Sequence, residues 1–263
     1  DFADHCESAG IRFVGPSGDI MRIMADKVIA KNLARKAGVP VLPGTDKPVK
    51  DSKALSIAKK IGFPIMMKAT QGGGGIGMHI IHSPDDLDSI IQKGRILAED
   101  NFGNSDIYFE RYLYGASHIE VQIIADMHNN VLHLFARDCS IQRRNQKVIE
   151  EGPAFKLSSV QRNRMWGYAI NLVKEIGYVN AGTVEFLAYP SGEMYFLEMN
   201  TRLQVEHAVT EMISGIDLVE LQLRVASGEP LNLKQNNIKV EGHAIEARIY
   251  PEDPDTLKPS PGI

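Results

Sequence analysis

Cysteine is scarce in this sequence. Cys6 and Cys139 are its two, far apart and outside any CxxC spacing, so neither a disulfide framework nor a zinc site is indicated and a reducing compartment fits best. Positive charge is not in excess either. The 29 Lys and Arg stand against 33 Asp and Glu, a formal net charge of −4, which argues against a protein that holds nucleic acid by its phosphate backbone. No apolar run approaches the roughly 18 residues that span a bilayer, and no charged-then-apolar leader opens the chain, so no membrane partner is expected. Internal repeats and low-complexity tracts are absent. The first residue is not Met, residues 1–10 read as the end of a helix feeding a short strand from Ile11 to Val14, and the chain stops at Ile263 without a closing element. The expectation is a piece of a longer polypeptide. What is present, 263 residues of which 43% are hydrophobic, can bury a substantial core as one large domain or two small ones.

The patterning mixes helices and strands without strict alternation, which favours α+β lobes over a doubly wound sheet. A helix is expected from about Asp19 to Ala37, ended by Gly38 and Pro40, and a second from Ser52 to Ile61, closed by Gly62. Residues 64–69 and 78–82 read as strands joined by a glycine loop, and Ser83 to Asp86 as a helix start. Ile119, Val121 and Ile123 alternate with Glu120 and Gln122, and Asn129-Asn130 turns the chain back through Val131 to Ala136 as a half-buried hairpin. A polar stretch to about Leu157, a helix to Ile176, a hairpin from Gly182 to Met199, a helix from Thr210 to Ser227 and a strand near 243–249 complete the reading.

Four features carry chemistry. Residues 72–77 hold five glycines in six positions, which lets backbone N–H groups approach an anion. Neither a Walker loop nor a Rossmann fingerprint is matched, because both open a helix. A glycine run alone reads as a linker; Lys68 on the preceding strand makes it a phosphate-covering lid. Second, if Tyr189 pairs with Met194 across the turn from Pro190 to Glu193, Glu185 falls opposite Glu198 on one sheet face, with Cβ atoms about 5 Å apart. A divalent cation would turn that repulsion into a site, with Asn200 as a further oxygen; a protonated Glu or a slipped register weighs equally. Third, Arg202, Gln204 and Glu206 alternate with Leu203 and Val205, and if extended they line up a cation, an amide and a carboxylate that could hold a small oxyanion and take its proton. A solvated strand edge explains the alternation equally well. Fourth, the run from Arg137 to Lys147 reads as a long polar loop whose Lys147 could reach a phosphate or carbonate. It has no interleaved aromatic residues of the kind RNA stacking needs.

Together these segments resemble biotin carboxylase, the ATP-grasp component of biotin-dependent carboxylases, over essentially the whole chain. The resemblance is carried by MADK at 24–27, KATQGGGGIGM at 68–78, RDCSIQRRNQKVIEE at 137–151, EMNTRLQVEH at 198–207 and HAIEARIYPEDP at 243–254. It implies an α+β ATP-grasp fold of two lobes with a glycine-rich lid, truncated at both ends. Residues 1–24 would end an amino-terminal lobe, 25–235 form the ATP-grasp domain with a lid at about 41–112, and 236–263 begin a carboxy-terminal lobe. By the same resemblance Lys27 and Lys68 contact the phosphates of ATP, and Gly73, Gly74, Gly75 and Met78 bind the cofactor. Glu110, Leu113, His118, Gln142 and Leu187 match the family's adenine and ribose contacts, and Asn145 belongs with the cofactor-binding residues. Glu185, Glu198 and Asn200 would hold Mg²⁺ (or Mn²⁺). Lys147, Arg202, Gln204 and the Val205 backbone would hold bicarbonate, Glu206 would be the base and Arg248 would steady the biotin enolate.

The implied partners are a biotin carboxyl carrier protein or domain, a carboxyltransferase component, and further copies of a homo-oligomeric parent, in the cytoplasm or mitochondrial matrix. HAIEARIYPEDP and LQLRVASGEP lean toward an acyl-CoA carboxylase alpha subunit. Departures from the family pattern are Ile76 where Arg or Lys is usual, Ala25 for Gly, Asn145 for His and Ala208 for Pro. The isolated chain is expected to turn over poorly. The rival readings are another ATP-grasp ligase, which activates a carboxylate for an amine, and a nucleotide-binding module without turnover.

Overall fold

The computed structural model describes residues 2–70, 77–256, 258 and 260. Gly73, Gly74, Gly75 and Ile76, on which the lid reading rests, lie outside the described residues.

The chain opens with α1 (Phe2–Ser8), α2 (Gly18–Ala25) and α3 (Lys27–Lys36). The single helix expected over 19–37 is therefore two. Asp26 breaks it by turning extended and accepting the Val28 and Ile29 N–H groups, both at 2.9 Å, as the cap of α3. The expected strand over 11–14 does not form.

A first layer follows: α4 (Asp51–Ile61), β1 (Ile65–Ala69), β2 (His79–Ile81), a 3₁₀ turn (Pro84–Asp86), α5 (Leu87–Phe102) and β3 (Ile107–Arg111). Its antiparallel sheet, in the order β2-β1-β3, buries Ile65, Met67, Ile81, Ile107 and Phe109 against Ala54, Ala58, Leu87 and Ile91 of the helices.

The second layer is a six-stranded antiparallel sheet in the order β8-β7-β4-β5-β6-β9. Its strands are β4 (Ser117–Ala125), β5 (Val131–Arg143), β6 (Gln146–Gly152), β7 (Asn180–Ala188), β8 (Met194–Asn200) and β9 (Ala244–Ala247). The helices are α6 (Ser159–Glu175), α7 (His207–Ser214) and α8 (Leu218–Ser227). One sheet face carries Ile119, Val121, Ile123, Val184 and Phe186 into a core with α2, α3 and α6. The other face is divided. At one end Ile124, Leu132, Leu134 and Ala181 pack with Leu218 and Val225 of α8; at the other, polar side chains look into a cavity beneath the three-stranded sheet.

Two further expectations are corrected. The helix expected over 210–227 is broken at Gly215, which sits at φ 67°, and restarts behind Asp217, whose carboxylate caps α8 at Glu220 N, 2.7 Å away. The polar loop expected after Ala136 is a hairpin: Gln142 pairs with Lys147 and Arg143 with Gln146 across a two-residue turn of Arg144 (φ 52°) and Asn145 (φ 62°). Two consecutive left-handed residues give the turn twist that matches its strands.

Candidate active site

Strands β7 and β8 bring Glu185 and Glu198 directly opposite one another, both lining a cavity of about 740 Å³. The route to that register differs from the expectation. At the turn Ala188, not Tyr189, pairs with Met194, one residue out of step, and an irregularity between Glu185 and Phe186 absorbs Leu197 and restores the alignment.

Glu185 is buried and tightly held. Lys147 Nζ lies 2.8 Å from its Oε1, where Asn200 Nδ2 (2.7 Å) and Gln204 Nε2 (3.2 Å) also donate, and His118 Nε2 lies 2.8 Å from Oε2. Burial alone would raise its pKa; His118 and Lys147 overcome that and hold it well below the usual carboxylate range. His118 is pushed the other way: burial opposes its charge, but Glu185 raises its pKa above the ordinary value. Glu198 is looser, with Lys27 Nζ 3.8 Å away and 35% of its side chain exposed. Burial lowers the Lys27 pKa against the pull of Glu198.

Residues 201–206 are not the extended strand expected; they form an irregular segment running into α7. They still bring Arg202, Gln204, Val205 and Glu206 to the cavity. Buried Glu206 is gripped from both sides, its Oε1 accepting from Lys147 Nζ and its Oε2 from Arg248 Nη2, each at 2.7 Å. Arg248 follows β9 and also donates through Nε to Glu150 Oε1 at 2.7 Å. Lys147 further bonds Glu120, and its three carboxylate neighbours raise its pKa although burial opposes the charge.

The remaining wall mixes apolar, cationic and neutral polar side chains. Leu113, Leu187 and Met78 line it, as do Lys27, Lys68, Gln142 and Asn145. Gln142 Nε2 lies 2.8 Å from His118 Nδ1. Glu110, expected on the adenosine side, is not among the lining residues; its carboxylate lies 2.6 Å from Lys68 Nζ and 2.8 Å from Lys31 Nζ.

Sequence reasoning missed the layer beneath. Arg137 is fully buried and uses all five of its N–H donors: Nε to Glu120 Oε1 (2.6 Å), Nη1 to Gln122 Oε1 (2.9 Å) and Thr210 Oγ1 (2.6 Å), and Nη2 to Gln204 Oε1 (3.1 Å) and Thr183 Oγ1 (3.5 Å). The available signal was opposite charge at facing positions, since Glu120 pairs with Arg137 across β4 and β5.

The facing carboxylates would suit a hard divalent cation: Glu185 and Glu198 both line the cavity, and Asn200 stands beside them. Two other trios, His118/Glu120/Glu185 and Glu120/Cys139/Glu206, have ligand atoms within 4.8 Å of one another among the described residues. Glu120 in both is already neutralised by Arg137 and Lys147.

The carbamoyl-phosphate synthase L chain, ATP binding domain family matches residues 26–234. The chain belongs to that family. Within it the chain resembles biotin carboxylases. It is 51% identical over 264 residues to the biotin carboxylase of Haemophilus influenzae, covering 100% of this chain and 59% of that protein. It is 49% identical over 261 residues to a pyruvate carboxylase subunit of Methanothermobacter thermautotrophicus, covering 98% of this chain and 53% of that protein. The biotin carboxylase domain dimer of the Hydrogenobacter thermophilus 2-oxoglutarate carboxylase, solved with MgADP, ADP and bicarbonate, superposes with a TM-score of 0.95 at 45% identity, covering 98% of this chain and 57% of that one. The fold is thus that of biotin carboxylase ATP-grasp domains, and the chain spans a little over half of these curated relatives. Among the described residues, no helix of this family member is long and apolar enough to cross a membrane.

Proposed function

We propose that this chain is the ATP-binding part of a biotin carboxylase, which uses ATP and bicarbonate to carboxylate biotin on a carrier protein or domain. A carboxyltransferase component of the same enzyme then passes the group to an acyl-CoA, or to pyruvate or urea. One observation carries the reading: Glu206, fixed between Lys147 and Arg248 at 2.7 Å each, joins three distant stretches of chain beside the Glu185–Glu198 pair.

In this mechanism Lys147, Arg202, Gln204 and the Val205 backbone hold bicarbonate, and Glu206 takes its proton. Both Glu206 oxygens already accept from cations, yet each keeps a further lone pair for that proton. Lys27 and Lys68 hold the nucleotide phosphates in line for attack by the bicarbonate oxygen on the γ-phosphorus. Magnesium, held by Glu185 and Glu198 with Asn200 beside them, supplies charge neutralisation at those phosphates. The bicarbonate attack forms carboxyphosphate as the γ-phosphorus bond to ADP breaks. Carboxyphosphate then separates into CO₂ and phosphate, the phosphate accepts the ureido N–H proton, and the enolate so formed, whose charge Arg248 faces, bonds to CO₂ through its ureido nitrogen. Fixed cations aimed at developing charge supply most of the rate. The three-stranded sheet acts as the lid. The parent is a homo-oligomer of the cytoplasm or mitochondrial matrix, and the chain alone, spanning 59% of the Haemophilus relative, turns over poorly.

The test is ADP release by the full-length parent with bicarbonate, with and without free biotin. Biotin-stimulated release is expected; release that ignores biotin would favour a ligase that activates a carboxylate for an amine. Glu206→Gln should lower biotin-dependent turnover by roughly 10²- to 10⁴-fold while ATP still binds. Unchanged turnover removes Glu206 from the base role.

A further inference from the structure

Three charged side chains meet behind the cavity wall with almost no access to water. Lys31 comes from α3, Lys68 from β1 and Glu110 from β3, and their side chains are 2%, 7% and 5% exposed. Glu110 lies between the ammonium groups, 2.8 Å from Lys31 and 2.6 Å from Lys68. The two cations hold the Glu110 pKa down to about 2 although burial pushes it up.

The site is shaped around Lys31. Its Nζ sits 5.4 Å from the centre of the Tyr108 ring. Gly44 leaves it room, because a Cβ there would come within 3.1 Å of Nζ and 2.4 Å of the Phe109 carbonyl. Backbone bonds from Thr45 N to Phe109 O (2.9 Å) and from Arg111 N to Pro43 O (2.7 Å) tie β3 to the same passage. Among the three groups only Lys68 lines the cavity.

One carboxylate with two buried cations has a specific consequence. If Lys68 swings toward an anion in the cavity, Glu110 keeps Lys31 and is never left as an unpaired buried charge, which would be costly. With Lys68 as its sole partner, Glu110 would act as a trap.

We propose that Lys31 is a positioning residue: by neutralising Glu110 it releases Lys68 to bind nucleotide phosphate. The proposal rests on the reading of Lys68 as a phosphate contact.

The experiment measures ATP and adenosine dissociation constants by calorimetry on the full-length protein. Lys68→Met comes first: an unchanged ATP affinity would sink the phosphate reading itself, separately from the proposal. Given a loss there, Lys31→Met should weaken ATP by roughly ten- to hundredfold and leave adenosine unchanged, because only the phosphates need Lys68. Lys31→Arg should restore ATP binding, and so should Lys31→Met combined with Glu110→Gln, which dismantles the trap. The proposal is overturned if Lys31→Met binds ATP normally, if adenosine weakens in step, or if adding Glu110→Gln brings no recovery. Should Lys31→Met fail to fold, the double variant decides. Recovery of fold and ATP affinity supports the proposal, and a double variant that is unfolded, or binds as weakly as Lys68→Met, overturns it.

Discussion

Arg137→Met tests the buried layer that holds the site from below. The substitution keeps an unbranched side chain but removes all five donors, leaving Glu120, Gln122, Gln204, Thr183 and Thr210 to find other partners in a fully buried setting. Breaking a buried ion pair costs about 3–5 kcal/mol, and each orphaned acceptor roughly 1–3 kcal/mol, with losses in one network far from additive. Glu120 keeps Lys147, which reduces the first term, so a net loss of about 4 kcal/mol is expected. With a urea m-value of about 3 kcal/mol/M, the midpoint should fall by roughly 1.3 M. The single tryptophan, Trp166, stacks on His133 at 4.5 Å and reports the transition by fluorescence. Arg137→Lys keeps the charge but offers three donors in place of five, and should lie about halfway between. A midpoint shift below about 0.3 M for Arg137→Met, or a Lys variant as stable as the parent, would show that this donor accounting does not govern stability.

Other perturbations probe separate elements. Burial pulls the His133 pKa down to about 4, so the unfolded chain gains a proton below about 6.5 that the native chain refuses. Stability should therefore be lost as pH falls from about 6.5 toward 4, by about 1–2 kcal/mol after allowance for partial exposure. His133→Phe should gain on the parent by that amount between pH 7 and 4.5, and parallel stability curves would refute it. At Gly182 a Cβ would stand 2.7 Å from the Tyr178 hydroxyl oxygen and 2.9 Å from the ring, so Gly182→Ala should cost about 1–3 kcal/mol in urea unfolding. Ser158 caps α6 reciprocally with Gln161, and Ser158→Ala should cost about 1 kcal/mol; no loss would mean that the cap is idle.

The outcome for the sequence reading was set by where polar residues go. Short apolar runs such as 65–69 and the helix behind Ser83 were legible, because burial and spacing alone specify them. The 137–147 hairpin was not, because its charges resemble those of a solvated loop, whereas they face carboxylates on neighbouring strands. Likewise Glu120 and Gln122 looked like the wet side of a half-buried hairpin, yet both are 0% exposed. Alternation reports two faces; it does not say whether water or an ion network covers the second. The helix breaks at Asp26 and Gly215 were readable in hindsight from a capping Asp and a glycine followed by Asp217.

The extra residue at Leu197 has a consequence for how this strand can change. Before it, Met194 and Phe196 enter the hydrophobic core; after it, Met199 does, so the parity of the strand reverses. Leu197 and Glu198, though adjacent, both line the cavity, and a greasy surface passes into an acidic one within a single residue. Inserting one residue upstream would carry Glu198 to the core position that Met199 fills, and deleting one would set Met199 in the cavity in place of the carboxylate, so a change of length here costs the site its acid or the core its side chain.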